Sequence, residues 1–242
     1  MPRAARLYTI ALAIKRRILR ASGGDIDLYP APPDDTHLSP SEQHIHDYAG
    51  APLTLSWRNQ GGGDALAWQQ LARAKLAELS GYDAAPKIPH ARHEQIHSLP
   101  GDAVRKSYYL RTGAAQDIPV HLIFNPALPG PLPVMICLQG TNPGIHLSWG
   151  QVRLPVDAER IARGSTNALQ AASRGYLAVA VEQACFGERR ERQLAVPSPD
   201  PCIDAANHAL LLGCTLLGER VSDISAVISW LESDAHGMAL DF

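Results

Sequence analysis

Two unbroken apolar runs decide the fold: Val-Met-Ile-Cys-Leu at residues 134–138 and Tyr-Leu-Ala-Val-Ala-Val at residues 176–181. A strand buried on both faces of a parallel sheet has this pattern, because each of its side chains meets a covering element on one side or the other. Between the runs, Asp157 can cap a helix that continues to about Arg174 and ends at Gly175. The order strand, helix, strand predicts two parallel strands joined by a crossover.

The segment before residue 131 has a different pattern. A helix is predicted from its cap Asp64 to Gly81, with apolar residues at helical spacing. Residues 93–98, 104–111 and 118–124 are extended runs separated by turns, which predicts antiparallel strands. The predicted fold class is therefore α/β: a mixed sheet with antiparallel N-terminal strands, then parallel strands with helices on both faces. Residues 204–233 are predicted as one long helix or as two joined helices.

Composition and charge exclude several classes of protein. Hydrophobic residues make up 45% of the chain, which predicts a packed core rather than disorder. The formal net charge of −2 gives no electrostatic reason to expect a nucleic-acid partner. Four cysteines without metal-ligand spacing give no reason to expect a metal or another cofactor.

The N-terminal 63 residues differ from the rest. The apolar run from Leu7 to Ile14 is flanked by basic residues and is far shorter than the ~20 residues that cross a bilayer. We therefore expect an amphipathic surface helix, no membrane partner and a cytoplasmic location. Residues 1–63 are predicted to form this helix and an irregular lead-in, and residues 64–242 part of an α/β domain that lacks its C-terminal half.

Four segments between residues 131 and 231 are informative in combination: VMICLQGT at 134–141, RGYLAVAV at 174–181, CFGERR at 185–190 and LLLGCTLLGER at 210–220, with Asp223 and Trp-Leu-Glu at 230–232 after the last. Together they resemble α/β-hydrolases of the dienelactone-hydrolase and acetyl-xylan-esterase-like branch. The resemblance implies a serine-dependent esterase that acts on a small-molecule ester without a cofactor.

The same resemblance assigns a role to the loop after the first apolar run. In such enzymes the backbone N–H groups of this loop form the oxyanion hole, which stabilises the negative oxygen of the tetrahedral intermediate. Gln139, Gly140 and Thr141 occupy that position, with Asn142 beside them as a weaker substrate-binding candidate. Many relatives have a histidine where this chain has Gln139, and an ordinary strand-to-loop turn is the alternative.

The nucleophile of such an enzyme is expected on a Gly-x-Ser-x-Gly turn between a strand and a helix. The sequence contains no such motif, and Ser165 falls in the middle of a predicted helix. We therefore expect an N-terminal part of the hydrolase domain, inactive alone because the Ser-Asp-His triad is missing. Strand 134–138 would then have an open edge, which favours self-association. A non-catalytic remnant or binding module is the alternative.

A different chemistry is suggested by His93-Glu94-Gln95-Ile96-His97, which matches the zinc-metallopeptidase pattern H-E-x-x-H. That pattern needs a helix, which brings both histidines onto one face. The window lies between Pro89 and Pro100 and alternates like a strand, in which the two histidines would be roughly 13 Å apart. A zinc peptidase is therefore the less favoured alternative.

Charged residues follow the second apolar run, among them Glu182, Glu188, Arg189 and Arg190. Glu182 and Arg189 lie at and beyond its carboxyl end, the edge where open α/β sheets bind ligands. Their charges either shape a substrate pocket or hold the loop in place, and the sequence leaves both interpretations open.

Overall fold

The computed structural model describes residues 40–60, 63–82, 88–140, 143–194, 196, 198–233 and 236–241, with Ile14 and Thr36 before them. The chain divides into two compact units, Met1–Asn59 and Gln60–Phe242. The predicted helix over Leu7 to Ile14 falls outside the described residues, apart from Ile14 itself.

In the first unit, helix α1 spans Pro40–Gly50. A 3₁₀ helix at Trp57–Gln60 begins in this unit and ends at the first residue of the second. An irregular lead-in was expected here, and for residues 40–50 that expectation is wrong. Pro40 brings a φ suited to the first helical position, and Glu42 places a negative charge in the first turn. Neither signal belongs to an apolar repeat, and for that reason a search for periodicity misses this helix.

The second unit contains a six-stranded sheet and the remaining described helices. Its strands are β1 His90–Ser98, β2 Val104–Gly113, β3 Gln116–Phe124, β4 Leu132–Leu138, β5 Leu177–Val181 and β6 Leu240–Asp241. Its helices are α2 Ala65–Ser80, α3 Pro155–Ala162, α4 Asn167–Ser173, α5 Ile203–Leu211 and α6 Leu216–Glu232, with 3₁₀ turns at Ile145–Trp149 and Gly187–Arg189.

The strand order is β1-β2-β3-β5-β4-β6. Strands β1 to β3 are antiparallel, β5 is antiparallel to β3 and parallel to β4, and β6 is parallel to β4. The mixed α/β sheet predicted from the sequence is therefore confirmed.

The crossover between β4 and β5 is not the single helix that was predicted. It contains two helices, α3 and α4, and the chain turns between them at Gly164, whose φ is +93°. A left-handed residue of this kind ends a helix, because a side chain is strained there and only glycine adopts it freely. Ser165 consequently lies in the connection between two helices and not inside one.

Helix α2 begins and ends where its caps predict. The side chain of Asp64 accepts a hydrogen bond from the amide of Leu66 at 2.9 Å, and Gly81 ends the helix with a φ of +67°. A Cβ at Gly81 would lie 2.6 Å from the Cβ of Cys214, so both the turn and the close approach require glycine. The apolar stripe of this helix is not its buried face, because four leucines are mainly exposed: Leu66, Leu71, Leu76 and Leu79.

The core has two halves, one on each face of the sheet. On one face, Leu122 and Val179 pack with Val227 and Trp230 of α6. On the other, alanines of β5 pack with alanines of α4 and with Trp149. The small side chains on both surfaces allow α4 to approach the sheet closely.

Strand β4 is paired unequally on its two sides. Val134 to Leu138 pair with β5, whereas β6 pairs only with Leu132 and Pro133. Along residues 134–138 the side facing away from β5 has no strand partner among the described residues. Met135 and Leu138, in this part of the strand, are exposed.

None of the helices in the described ranges is long and apolar enough to cross a membrane.

Candidate active site

The carboxyl ends of β4 and β5 lie side by side. Leu138 is paired in register with Val181, so the next residues, Gln139 and Glu182, leave the sheet next to each other. Because ligands of open α/β sheets bind beyond the carboxyl ends of the strands, this edge is the candidate site.

Glu182 is almost completely buried at this edge and fixes the chain around it. Its carboxylate accepts a hydrogen bond from the side-chain amide of Gln139 at 2.5 Å and from the backbone N–H of Ile145 at 3.1 Å. The backbone N–H of Glu188 approaches the other carboxylate oxygen at 3.5 Å. Both ends of the loop from residue 139 to residue 145 are therefore held by one side chain.

A second contact fixes the start of the same loop. The side-chain amide of Gln183 donates to the backbone carbonyl of Gln139 at 2.5 Å. The amides of the two glutamines thus connect the end of β4 to the end of β5 in both directions. This arrangement leaves the loop little freedom where it leaves the sheet.

Two glycines enclose the carboxylate. A Cβ at Gly187 would lie 2.0 Å from Oε2 of Glu182, and a Cβ at Gly144 would lie 3.2 Å from the same oxygen and 2.8 Å from Nδ1 of His146. The N–H of Gly187 donates to the carbonyl of Pro143 at 3.1 Å. The two loops can approach this closely only because neither position carries a side chain.

Burial controls the charge of Glu182. It raises the pKa of the carboxyl group to about 7, against the opposing effect of the hydrogen bonds from the Ile145 and Glu188 amides. Among the described residues its contacts are hydrogen bonds and not an ion pair. The group therefore changes protonation state near neutral pH.

The 3₁₀ turn that follows the loop has its own buried polar pair. His146 Nε2 lies 3.0 Å from Oδ2 of Asp157, which also accepts from the amides of Arg153 and Leu154 at 2.9 and 2.7 Å. Burial alone raises the pKa of Asp157, but these backbone hydrogen bonds and His146 lower it below its usual value. The charged carboxylate thus fixes the turn against the start of α3.

Arg189 contacts two other elements of the fold. Its guanidinium forms a largely buried ion pair with Asp223 of α6 at 2.6 Å and also donates to the backbone carbonyl of Glu182 at 3.2 Å. The Tyr109 hydroxyl donates to Glu188 in the same loop at 2.6 Å. Of the two interpretations that the sequence leaves open for Glu182 and Arg189, these contacts favour the one in which they hold the loop.

The structure describes the predicted oxyanion loop only in part. Gln139 and Gly140 are described, whereas Thr141 and Asn142 lie outside the described residues. A Cβ at Gly140 would meet no described atom within 4 Å. The described part of the chain thus shows no steric need for glycine at position 140.

The H-E-x-x-H segment lies on β1, as its alternation predicts. A register shift separates Arg92 from Gln95, and His93 has a φ of +56° in this irregular part of the strand. No group of three or more metal-binding side chains was found among the residues that the structure describes. The helical geometry on which the zinc hypothesis depends is not present.

Sequence reasoning missed several residues around the site. His146 and Asp157 are separated by 11 positions, and Asp157 was recognised only as a helix cap. Gly187 was seen only as part of a resembling segment. The sequence signal for Gly187 was its position in the Phe-Gly-Glu-Arg run after a buried strand. A glycine there indicates that another group packs closely against the backbone.

Of three comparisons with known proteins, the comparison of structures bears on the fold. No protein-family model matches the chain, and no curated protein matches its sequence. Among solved structures, the chain is similar to the crystal structure of a putative acetyl xylan esterase from Bacteroides fragilis, with a TM-score of 0.65 and 16% identity. The match covers 85% of this chain and 54% of that one, so the chain spans about half the length of its structural neighbour. At 16% identity this similarity shows the fold alone, an α/β fold like that of the neighbour.

Proposed function

We propose that this chain belongs to a serine-dependent carboxylic-ester hydrolase of the α/β-hydrolase type and supplies the oxyanion side of its active site. The observation that carries the proposal is the position of the loop from Gln139 to Ile145. It leaves the carboxyl end of the parallel strand β4 and is held at both ends by the buried carboxylate of Glu182. Its fold is also similar to that of a larger protein described as an esterase.

The proposed chemistry is acyl transfer. A serine attacks the ester carbonyl, a histidine accepts its proton, and the carbonyl oxygen becomes negatively charged. Backbone N–H groups preorganised around that oxygen lower the barrier by roughly 2.7–4 kcal/mol each. We assign this role to the loop after β4, with the N–H of Thr141 as the favoured donor.

In this proposal the serine, the acid and the histidine come from sequence that follows β6. Strand β6 starts parallel pairing at Leu132, and its continuation along Val134–Leu138 would end beside Gln139. A nucleophile at that point would face the oxyanion loop across the end of β4. Residues 1–242 are accordingly proposed not to hydrolyse esters by themselves, and Ser165 is not assigned as the nucleophile.

The test begins with the coding sequence beyond Phe242. A Gly-x-Ser-x-Gly motif is expected within about 30 residues, roughly one strand-helix unit. The full-length protein is expected to hydrolyse p-nitrophenyl acetate, to lose this activity when the motif serine is changed to alanine, and to keep it with Ser165→Ala and with a chelator. An extension without the motif, or activity that requires Ser165 or a metal, would overturn the proposal.

A further inference from the structure

The Glu182 carboxylate is the point at which three segments of the candidate site meet. Its hydrogen-bond donors are Gln139 at the end of β4, Ile145 at the start of the 3₁₀ turn, and Glu188 in the loop after β5. We call this group the Glu182 clamp. No other described side chain bonds to both ends of the loop between residues 139 and 145.

Resting on the proposed function, we propose that Glu182 is a positioning residue for ester cleavage: through Gln139 and Ile145 it fixes the loop whose backbone amides stabilise the developing oxyanion. Glu182 is buried behind the loop and acts through it. It is therefore distinct from the nucleophile, the acid and the base.

The chemistry of a carboxylate suits this role. An ionised carboxylate only accepts hydrogen bonds, and here it meets an amide NH₂ group and two backbone N–H groups. Such charge-assisted bonds are shorter and stronger than bonds between neutral groups. A neutral amide at position 182 would place an NH₂ group against one of these donors, and the loop would lose at least one of its fixed ends.

The surrounding backbone restricts where the carboxylate can lie. Gly187 and Gly144 contact it so closely that an added methyl group at either position would collide with it or press against it. A shift of the Glu182 side chain would therefore move the loop. A displacement of about 1 Å at a reacting centre can lower a rate roughly 100-fold, so a small change in the clamp is expected to have a measurable effect.

The protonation of Glu182 gives the clamp a pH dependence. The charged groups that face it are Glu188, which raises its pKa, and Arg153, which lowers it, while Arg189 bonds to its backbone carbonyl and His146 lies across Gly144. Above about pH 7 the group is an ionised acceptor and the loop is held. Below that pH one oxygen becomes a donor, a bond is lost, and kcat is expected to fall.

The matched control is Asp223, a second buried carboxylate in the same fold. It binds Arg189 and Gln116 and has no hydrogen bond to the loop between residues 139 and 145. Replacing it by asparagine removes a buried charge and leaves the three hydrogen bonds of the Glu182 carboxylate in place, since Asp223 connects to Glu182 only through Arg189 and the backbone carbonyl. A general loss of stability should thus follow Asp223→Asn, whereas a selective loss of turnover should follow Glu182→Gln.

The experiment uses the full-length protein with its downstream sequence and p-nitrophenyl acetate. Glu182→Gln is expected to lower kcat by roughly 100-fold with KM changed less than about threefold, which indicates an interaction made in the transition state. The exchange of both side chains, Gln139→Glu with Glu182→Gln, restores an amide-carboxylate pair and an acceptor for Ile145. The kcat of this double variant is expected to be at least tenfold higher than that of Glu182→Gln alone. Asp223→Asn is expected to keep kcat within about threefold at a temperature where it is folded.

A spectroscopic measurement separates this inference from the proposed function. The side-chain NH₂ resonances of Gln139 are expected to titrate with a midpoint near pH 7, and this titration should be absent in Glu182→Gln. Unchanged kcat in Glu182→Gln, or an equal loss in Asp223→Asn, would overturn the positioning role and leave the esterase assignment standing. A wild-type protein without esterase activity would overturn both, even if the Gln139 titration showed that the clamp exists.

Discussion

His146 Nε2 lies 3.0 Å from Asp157 Oδ2, and both side chains are buried between the 3₁₀ turn and the start of α3. The Asp157 carboxylate also accepts two backbone N–H groups. The pair therefore connects the segment after the candidate oxyanion loop to the crossover helices. We therefore expect a substitution that breaks this pair to lower the free energy of unfolding.

Asp157→Ala should destabilise the protein strongly. It removes three hydrogen bonds and leaves a buried imidazole without its partner, which typically costs about 3 kcal/mol or more. Glu159→Ala on the same helix is the control, because its exposed pair with Arg163 is worth only about 0.5 kcal/mol. Urea unfolding measures the loss of stability in each variant, and similar losses for the two would contradict the role assigned to Asp157.

Gly187→Ala should disrupt the Glu182 clamp. The new methyl group would collide with the carboxylate, and the φ of +47° is unfavourable for alanine. Gly101→Ala separates the two effects, because Gly101 has a φ of +74° and no described atom within 4 Å of an added Cβ. We expect about 1 kcal/mol of destabilisation at Gly101 from backbone strain alone and clearly more at Gly187. If Gly187→Ala and Gly101→Ala changed the midpoint of urea unfolding equally, the close approach at Gly187 would not contribute to stability.

His121 should make the protein less stable in acid. Burial and, after it, the positive charges of Arg105 and Arg153 lower the pKa of His121 to about 3. The unfolded chain takes up this proton near pH 6.5, so the stabilisation is complete above pH 6.5 and is lost as the pH falls toward 3. Between pH 7 and pH 5 the loss from this group is about 2 kcal/mol.

The measurement compares wild type with His121→Gln by urea unfolding at the two pH values. The stability difference between the two proteins should shrink by about 2 kcal/mol at pH 5, because glutamine does not titrate. His208→Gln, at an exposed position of α5, controls for the substitution itself. If the stability difference between wild type and His121→Gln were the same at pH 7 and pH 5, it would contradict the burial of a neutral His121.

Leucines in α2 and in the sheet should differ widely in their contribution to stability. Leu110 is 0% exposed and Leu71 is 60% exposed. Leu110→Ala should cost about 2–5 kcal/mol, because it leaves a cavity, whereas Leu71→Ala should cost well under 1 kcal/mol. Thermal and urea unfolding of the two variants test this, and a large loss at Leu71 would show that another surface covers α2 in solution.

The sequence was sufficient for the parts of the fold that depend on local patterns. The unbroken apolar runs located β4 and β5, although only β5 is buried on both faces, because Met135 and Leu138 of β4 are exposed. The caps at Asp64 and Gly81 located α2. The burial of α2 was not predictable, because periodicity shows which side chains share a face and not what covers that face.

The candidate site was predictable in position but not in detail. Gln139 and Glu182 could be placed together, because the carboxyl ends of adjacent parallel strands share one edge of the sheet. Whether Glu182 faces a ligand or the protein depends on Ile145, which is 37 positions away. No local pattern records a contact of that kind.

The order of β3, β5 and β4 in the sheet has a consequence for how the chain folds. Strands β3 and β4 follow each other in the sequence, yet β5 lies between them with all five of its residues buried. Strands β1 to β3 can form successive hairpins from local contacts, whereas β4 has no place in the sheet until both crossover helices and β5 have been added. Because contacts distant in sequence form slowly, we expect the insertion of β5 to limit the rate of folding. Substitutions at Val179 should then slow refolding, whereas substitutions in the β1-β2 hairpin should mainly speed unfolding.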